Sequence, residues 1–293
     1  MKILVTGSAG FIGSRVFYIL RANSNFVSGV DRKDGPTTTY LLDLSDPRYA
    51  SFLPSEGIDA IVHLAAAPWA EAQDWSKAGR DTIISTVRAL DLAARCHAAF
   101  VLASSAYVLG EPLHAPQGPG HPRHPVDNYG KAKLMAEELT WAWALPRTFV
   151  TRFYNVYGPG QYPGAVIPDT IAKLQSKDHQ LFEGSGNETR DFVYVDDVAE
   201  AIRLLVTEGQ PGTYHIGSGT PTRIADLVAL CKDLLGSTTP YSFRSLPSSR
   251  ETKARLRGFL IPFQADIAPM LKLGWKPRDL KTGLASFIRQ EAR

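Results

Sequence analysis

Cysteine, methionine and net charge are all scarce in this chain, and each scarcity removes a class of explanation. Two cysteines occur in 293 residues, Cys96 and Cys231, each inside an apolar helical pattern. They read as small buried hydrophobes, and neither a disulfide framework nor a thiolate metal site is expected from them. A reducing, cytoplasmic setting is the expectation that follows. The formal net charge is only +3, so no polyanion partner is implied and nucleic-acid binding is not expected. The local basic cluster Arg250, Lys253, Arg255 and Arg257 reads as a solvated face or as a site for ligand phosphates. Long apolar runs are missing too. The first one is broken at once by glycines, which fits neither a signal peptide nor a membrane span. Internal repeats and low-complexity tracts are absent.

What is present suits a globular enzyme. Hydrophobic residues make up 44% and charged residues 21%, enough apolar surface for one large domain or two modest ones. The apolar run Lys2–Thr6 predicts a strand, followed by Gly7, Gly10, Phe11, Ile12 and Gly13, then a helical pattern through Leu20. A second strand over 26–30 ends at Asp31. Strand, glycine turn, helix, strand and acid in that order form a dinucleotide-binding context. Glycines permit the tight turn, and the helix N-terminus offers free N–H groups and a positive dipole end to a pyrophosphate. Asp31 can accept from a ribose diol and repels a 2′-phosphate, favouring NAD over NADP. Arg32 beside it pulls the other way, since guanidinium suits phosphate.

Alternation then continues. Strands are expected near 41–44, over Ala60–Leu64 and over Ala99–Ala103, with a helix over Asp81–Arg95 and a strand over Thr148–Arg152. Such alternation means a parallel sheet covered on both faces, with ligands gathering at the carboxyl ends of its strands. Gly7, Asp31, Ala65, Ser105 and Asn155 would all fall there. Between Ser105 and Tyr129 lies a proline-rich loop with His114, His121 and His124. No cysteine or carboxylate pair joins these histidines, so a surface loop rather than a metal site is expected. Beyond residue 155 the pattern predicts a helix near Val166–Gln175 and a short strand or turn over Gln180–Gly184. It also predicts a helix capped by Asp196 or Asp197, and another begun by Thr222 and closed by Gly236. A final stretch, Asp266–Arg293, is expected to be helical around Trp275.

Tyr129 and Lys133 stand one turn apart at the start of a run of good helix formers. A cation near a phenol favours the phenolate and brings it toward use as an acid or base. The pair can equally be an aromatic and a lysine that merely share a helix face.

The ordered motifs settle on a resemblance. They are Thr6 to Gly13; His63, Leu64, Ala65 and Ala66; Ser104 and Ser105; and Tyr129 with Lys133. Arg152 to Gly160, Arg190 to Asp197, and the late Ala265, Asp266 and Trp275 complete the series. Together they resemble the extended short-chain dehydrogenase/reductases of the NAD-dependent nucleotide-sugar epimerase/dehydratase family, of the UDP-glucose 4-epimerase kind. The resemblance implies an α/β fold, a Rossmann-type doubly wound parallel sheet with a smaller C-terminal α/β substrate domain. The boundaries would be 1–155 for NAD, with returning segments near 190–218, and mainly 156–293 for the nucleotide sugar. It also implies a homodimer through the helices near 81–95 and 130–144, with Met135, Leu139 and Trp143 partly in the interface or else in the core.

Site roles follow from the same resemblance. Ser105, Tyr129 and Lys133 would be catalytic: a hydroxyl beside the sugar O4, the acid/base, and the residue that tunes it and holds the nicotinamide ribose. Gly7, Gly10, Phe11, Ile12, Gly13, Asp31, Arg32, Leu64, Ala65, Ala66 and Tyr154 would line the cofactor, with Asp43 and Leu44 around the adenine. Asn155, Val166, Arg190 and Arg257 would contact the substrate together with Ser105, and no metal is implied. The implied reaction is C4 epimerisation of a nucleotide hexose, UDP-linked, through a 4-keto sugar. The alternatives are 4,6-dehydration, decarboxylation or 4-keto reduction, and, from another class, a non-catalytic NAD-sensing scaffold.

Several positions depart from the family pattern. Leu109 replaces a usual tyrosine, Thr82 a frequent asparagine, and Gly118, Pro119 and Gly120 a loop that often carries an acid. Ala106 and Tyr107 stand where dehydratases of the family typically carry an Asp-Glu pair, which counts against dehydration. Phe263 lies near the expected size gate and favours a plain hexose over an N-acetylhexosamine.

Overall fold

A computed structural model describes residues 1–23, 26–53, 56–245 and 262–291. Arg257 and the basic cluster around it lie outside the described residues. The main sheet has seven parallel strands in the order β10-β6-β5-β4-β1-β2-β3. These are β1 (Lys2–Thr6), β2 (Phe26–Asp31), β3 (Tyr40–Leu41), β4 (Ala60–His63), β5 (Ala99–Ser105), β6 (Thr148–Phe153) and β10 (Gly212–Ile216). Strand order reverses between β1 and β4. The chain leaves those neighbours to opposite faces there, so their carboxyl ends open a crevice at the switch point.

Apolar side chains on both faces explain why the sheet is buried. One face carries Ile3, Val5, Val62 and Val101 beneath Val16 and Leu20 of the Phe11–Ala22 helix and Val198, Ile202 and Leu205 of the Val195–Glu208 helix. The other carries Leu4, Ile61, Phe100 and Val150 beneath Leu90, Leu92 and Ala136, from the helices Ser85–Cys96 and Asn128–Ala142. Each large aliphatic side chain buried this way contributes about 1.5–3 kcal/mol.

A second body of structure stands beyond the carboxyl ends. It contains a three-stranded sheet, β11-β9-β7, and a parallel pair, β12-β8. Its strands are β7 (Asn155–Tyr157), β8 (Gln180–Glu183), β9 (Thr189–Tyr194), β11 (Pro221–Arg223) and β12 (Tyr241–Arg244). The helices Val166–Leu174, Ile224–Leu235 and Leu280–Glu291 enclose its core of Tyr157, Ile171, Phe192, Leu227, Cys231 and Phe287.

Some local expectations need correction. The Val195–Glu208 helix begins at Tyr194 without a side-chain cap. Asp196 instead pairs with Arg15 at 2.6 Å and Asp197 with Arg278 at 2.9 Å, so tertiary ion pairs claim both carboxylates. Thr222 lies in β11, and the following helix starts at Ile224. Gly236 closes that helix in the left-handed region, as glycine readily does. β3 stops at Leu41, because Asp43 turns the chain by accepting from the N–H and hydroxyl of Ser45. The final stretch is two helices, Ala268–Lys272 and Leu280–Glu291. Trp275 is buried between them and donates its indole N–H to Asp197 O at 2.9 Å. Met135 is 46% exposed, whereas Leu139 and Trp143 pack against the protein's own core.

Candidate active site

The glycine turn closes the crevice at the switch point. Gly7 has φ +69°, and a side chain there would meet Ala65 N at 2.8 Å. A side chain on Gly13 would meet Gly7 O at 1.9 Å, so the helix can approach the turn only because both positions are bare. Thr6 Oγ1 accepts from the N–H groups of Leu64 and Ala65, both at 3.2 Å, tying the turn to the loop after β4. The Phe11–Ala22 helix has no side-chain cap and no acid in its first turn. Its leading N–H groups therefore suit an anion. Asp31 ends β2 and accepts from Ala9 N and Lys33 N, both at 2.9 Å, which fixes it beside the turn. A bare cradle, an uncapped helix N-terminus and an oriented carboxylate together fit a dinucleotide.

Asp43 and Leu44 follow, but the Leu44 side chain is buried in the core near Tyr49. Only the Leu44 backbone is left to face a ligand. Arg32 donates to Asp81 at 3.0 Å, a partner the sequence reading did not find. Thr82 accepts from Ala67 N at 3.2 Å and so holds the loop after β4.

Tyr129 and Lys133 ride on the Asn128–Ala142 helix, whose cap is Asp127. Its Oδ1 accepts from Gly130 N at 2.7 Å, and its Oδ2 accepts from Trp69 Nε1 at 2.7 Å and Gln73 Nε2 at 3.2 Å. One buried carboxylate thus fixes both the helix start and the loop after β4. Gly130 is bare because a side chain would meet Tyr107 O at 2.5 Å.

The two residues do share a face, but their electrostatics differ from expectation. Lys133 Nζ lies 5.9 Å from the centroid of the Tyr129 ring and donates to Ala103 O at 2.8 Å. Desolvation holds its ammonium down to about 8, against a raising effect from Glu137. Burial pushes the Tyr129 phenol up from 10, and a hydrogen bond from Ser105 to its oxygen works the other way. In the protein alone, then, the direct lowering influence on the phenol comes from Ser105 and not from Lys133. At this range the lysine's anchored donor is better placed to orient a ligand.

Around the phenol stands an aromatic wall. Tyr107 packs edge-on against Tyr129 at 5.8 Å and, tilted by 43°, against Phe263 at 5.8 Å. Tyr154 meets Phe263 at 6.1 Å. Burial pushes the Tyr107 phenol up to about 12, against the lowering effect of Arg190. Phe263 is buried within this wall.

Behind the wall runs a buried polar chain that sequence reasoning missed. Ser104 Oγ donates to Glu137 at 2.5 Å, and Arg152 donates to both Glu137 oxygens at 3.0 and 2.8 Å. Arg152 Nη1 meets His215 Nε2 at 3.3 Å, and His215 Nδ1 meets the Tyr154 hydroxyl at 2.8 Å. Desolvation first, then Arg152 and His121, hold His215 down at about 3. Glu137 on the helix carrying Lys133 was readable as one turn beyond it. The pairing with strands β6 and β10 was not.

On the opposite lip, the Arg190 guanidinium donates to Thr189 O at 2.9 Å, and Asn155 Nδ2 donates to Asp191 O at 3.3 Å. Asp191 is fully buried and accepts from Ser218 N and Oγ, Gly219 N and Ala265 N at 2.5–3.0 Å. It pins the loop after β10 and the segment at Ala265 to β9, another role not visible in sequence. Val166 is 38% exposed at the first turn of its helix. Among the described residues no group of three or more histidine, cysteine and acidic side chains is arranged for a metal. His121 is spent on Leu113 N at 3.1 Å and Pro122 O at 2.9 Å.

Comparison with known proteins agrees with this geometry. The sequence profile described as "NAD dependent epimerase/dehydratase family" matches residues 3–217. A putative UDP-glucose 4-epimerase of Methanocaldococcus jannaschii is 30% identical, over 98% of this chain and 97% of its own length. The human dTDP-D-glucose 4,6-dehydratase is 27% identical, over 94% of this chain and 85% of its own. The solved structure of MoeE5 in complex with UDP-glucose and NAD superposes with a TM-score of 0.83 at 28% identity, over 100% and 99% of the two chains.

Proposed function

Because this chain belongs to the NAD dependent epimerase/dehydratase family, we propose that it epimerises a nucleotide hexose, UDP-linked, at C4 through a transient 4-keto sugar. Family membership makes it an NAD-dependent protein. The observation that carries the finer reading is the pair of phenols at the site. Tyr129 accepts a hydrogen bond from Ser105, and the place where a dehydratase needs further acid and base groups is filled by Ala106 and the Tyr107 ring, 5.8 Å away.

Bound NAD supplies the hydride acceptor and donor. Tyr129 takes the O4 proton of the sugar and later returns it. Ser105 holds O4 and steadies the phenolate by donating to it. Lys133, with its ammonium fixed on Ala103 O, orients the nicotinamide ribose. Gly7, Gly10 and Gly13 with Phe11 and Ile12 receive the pyrophosphate, and Asp31 the ribose. Ala66 and Tyr154 complete the cofactor wall. Asn155 and Arg190 hold the sugar diphosphate across the crevice, with Val166 at its rim. Water is kept out by Tyr107, Phe263 and Tyr154, and Phe263 leaves room for a plain hexose. Residues 1–155 with β10 and the Val195–Glu208 helix form the NAD-binding part, and mainly 156–293 the sugar-binding part. Exposed Met135, on the helix carrying Tyr129, supports a homodimer through that helix, and the scarcity of cysteine supports a cytoplasmic setting.

Incubation with a panel of nucleotide sugars, read by NMR of the products, tests this reading. A UDP-hexose converted to its C4 epimer is the expected result. A 4-keto-6-deoxy product, a decarboxylated sugar or net reduction would assign the chain to another branch of the family. Tyr129→Phe should abolish turnover and leave nucleotide-sugar binding intact.

A further inference from the structure

Asp81 holds two arginines at the ribose end of the cofactor turn. Arg32 Nη1 lies 3.0 Å from Asp81 Oδ2, while Arg80 Nε lies 2.6 Å from Oδ1 and its Nη2 3.3 Å from Oδ2. The three groups differ sharply in exposure. The Asp81 side chain keeps 6% of its surface, against 44% for Arg32 and 52% for Arg80. The carboxylate is therefore the buried partner and the arginines are the solvent-facing ones. Its backbone is fixed, since Ser85 Oγ donates to Asp81 O at 2.8 Å. Desolvation alone would raise the Asp81 carboxyl, yet the hydrogen bonds from Arg80 and Arg32 hold it below the usual range, so it stays charged at neutral pH.

Asp31 needs this help. It is one carboxylate followed in the chain by Arg32 and Lys33, and it already accepts from Ala9 N and Lys33 N. A released guanidinium is a strong bidentate phosphate ligand. Left free beside Asp31, Arg32 would offset the repulsion on which the choice of cofactor rests.

We propose that Asp81 is a specificity-determining residue for the dinucleotide. By holding Arg32 and Arg80 it denies a 2′-phosphate the cations it needs, so the site takes NAD and rejects NADP. Nucleotide retention is independent of the sugar chemistry, so this inference stands or falls apart from the epimerase reading.

The test incubates the purified protein with equal concentrations of NAD and NADP and measures the retained nucleotides by chromatography. Asp81→Asn keeps the side-chain shape and removes the charge. It should raise the retained NADP:NAD ratio by about ten-fold, the effect of one freed charge-assisted contact. Adding Arg32→Ala and Arg80→Ala to that variant should cancel the gain. In the native background, Arg32→Ala should leave the ratio within about two-fold. A folded Asp81→Asn protein with an unchanged ratio would overturn the proposal. So would a several-fold loss of NADP retention in Arg32→Ala alone, because that guanidinium would then already reach the phosphate site. The second arm decides the question even where thermal melting shows Asp81→Asn to be unfolded.

Discussion

Arg152 Nη1 lies 3.3 Å from His215 Nε2, and a guanidinium can only donate. The contact therefore fixes the imidazole: Nε2 accepts, Nδ1 carries the proton, and that proton is donated to the Tyr154 hydroxyl at 2.8 Å. Nitrogen-15 NMR should show His215 as the neutral Nδ1–H tautomer throughout the range near neutrality. His215→Phe, which leaves both partners short of a bond, should cost about 1–3 kcal/mol of stability. His215→Asn, which keeps a donor toward Tyr154, should cost less. An Nε2–H tautomer would contradict the polarity of the chain.

Acid stability should carry the signature of two buried neutral histidines. Desolvation, with Lys133 second, holds His63 at about 3, and His215 is held at about 3 as well. Between about 3 and the ordinary 6.5, the unfolded chain binds a proton at each site that the native protein does not. Stability should thus fall as pH drops through that window, with a slope of about 1.4 kcal/mol per pH unit for each histidine. Above 6.5 these two groups contribute no slope. Denaturant melts across the window should show His215→Asn losing about half of that dependence.

Lys133 gives a slope of the same sign in a separate, alkaline window. Its ammonium is held down to about 8 by desolvation, against an ordinary 10.5. Between those values the unfolded chain carries a proton the native chain has released, so stability should rise with pH across the window. Below 8 the buried charge costs about 3 kcal/mol in full. Lys133→Met should therefore stabilise the nucleotide-free protein near neutral pH while reducing turnover by orders of magnitude. A destabilised, active variant would refute both roles.

Asp127→Ala removes one carboxylate that serves Gly130 N, Trp69 Nε1 and Gln73 Nε2. A lost helix cap costs about 1 kcal/mol, and two unpaired donors add to it, so a loss of about 2–3 kcal/mol is expected by thermal or denaturant melts. Turnover should fall more than substrate affinity, because the helix that carries Tyr129 loosens at its first turn.

Local patterns were the legible part of the sequence. The glycine turn, the end of β2 at Asp31, each strand or helix in the alternation and the Tyr129–Lys133 spacing are patterns carried by residues close together in the chain. What stayed hidden is non-local. The partners Arg32 and Asp81, Arg152 and His215, and Asp191 and Ala265 come from different elements, and only the folded sheet brings them together. The acids at 196 and 197 look like caps in sequence because their partners Arg15 and Arg278 lie far away in the chain. The position of Lys133 relative to Tyr129 is non-local in the same way. Spacing places the two on one face, but the Ala103 carbonyl of the neighbouring strand decides where the ammonium points.

An epimerase of this kind oxidises and re-reduces one sugar carbon inside a closed site. Incubating the protein with UDP-glucose deuterated at C4 and reading the product by NMR tests this most directly. The expected product is UDP-galactose with the deuterium still on C4 and the configuration inverted. Deuterium lost to solvent, or delivered to C6 of a 4-keto-6-deoxy sugar, would contradict it.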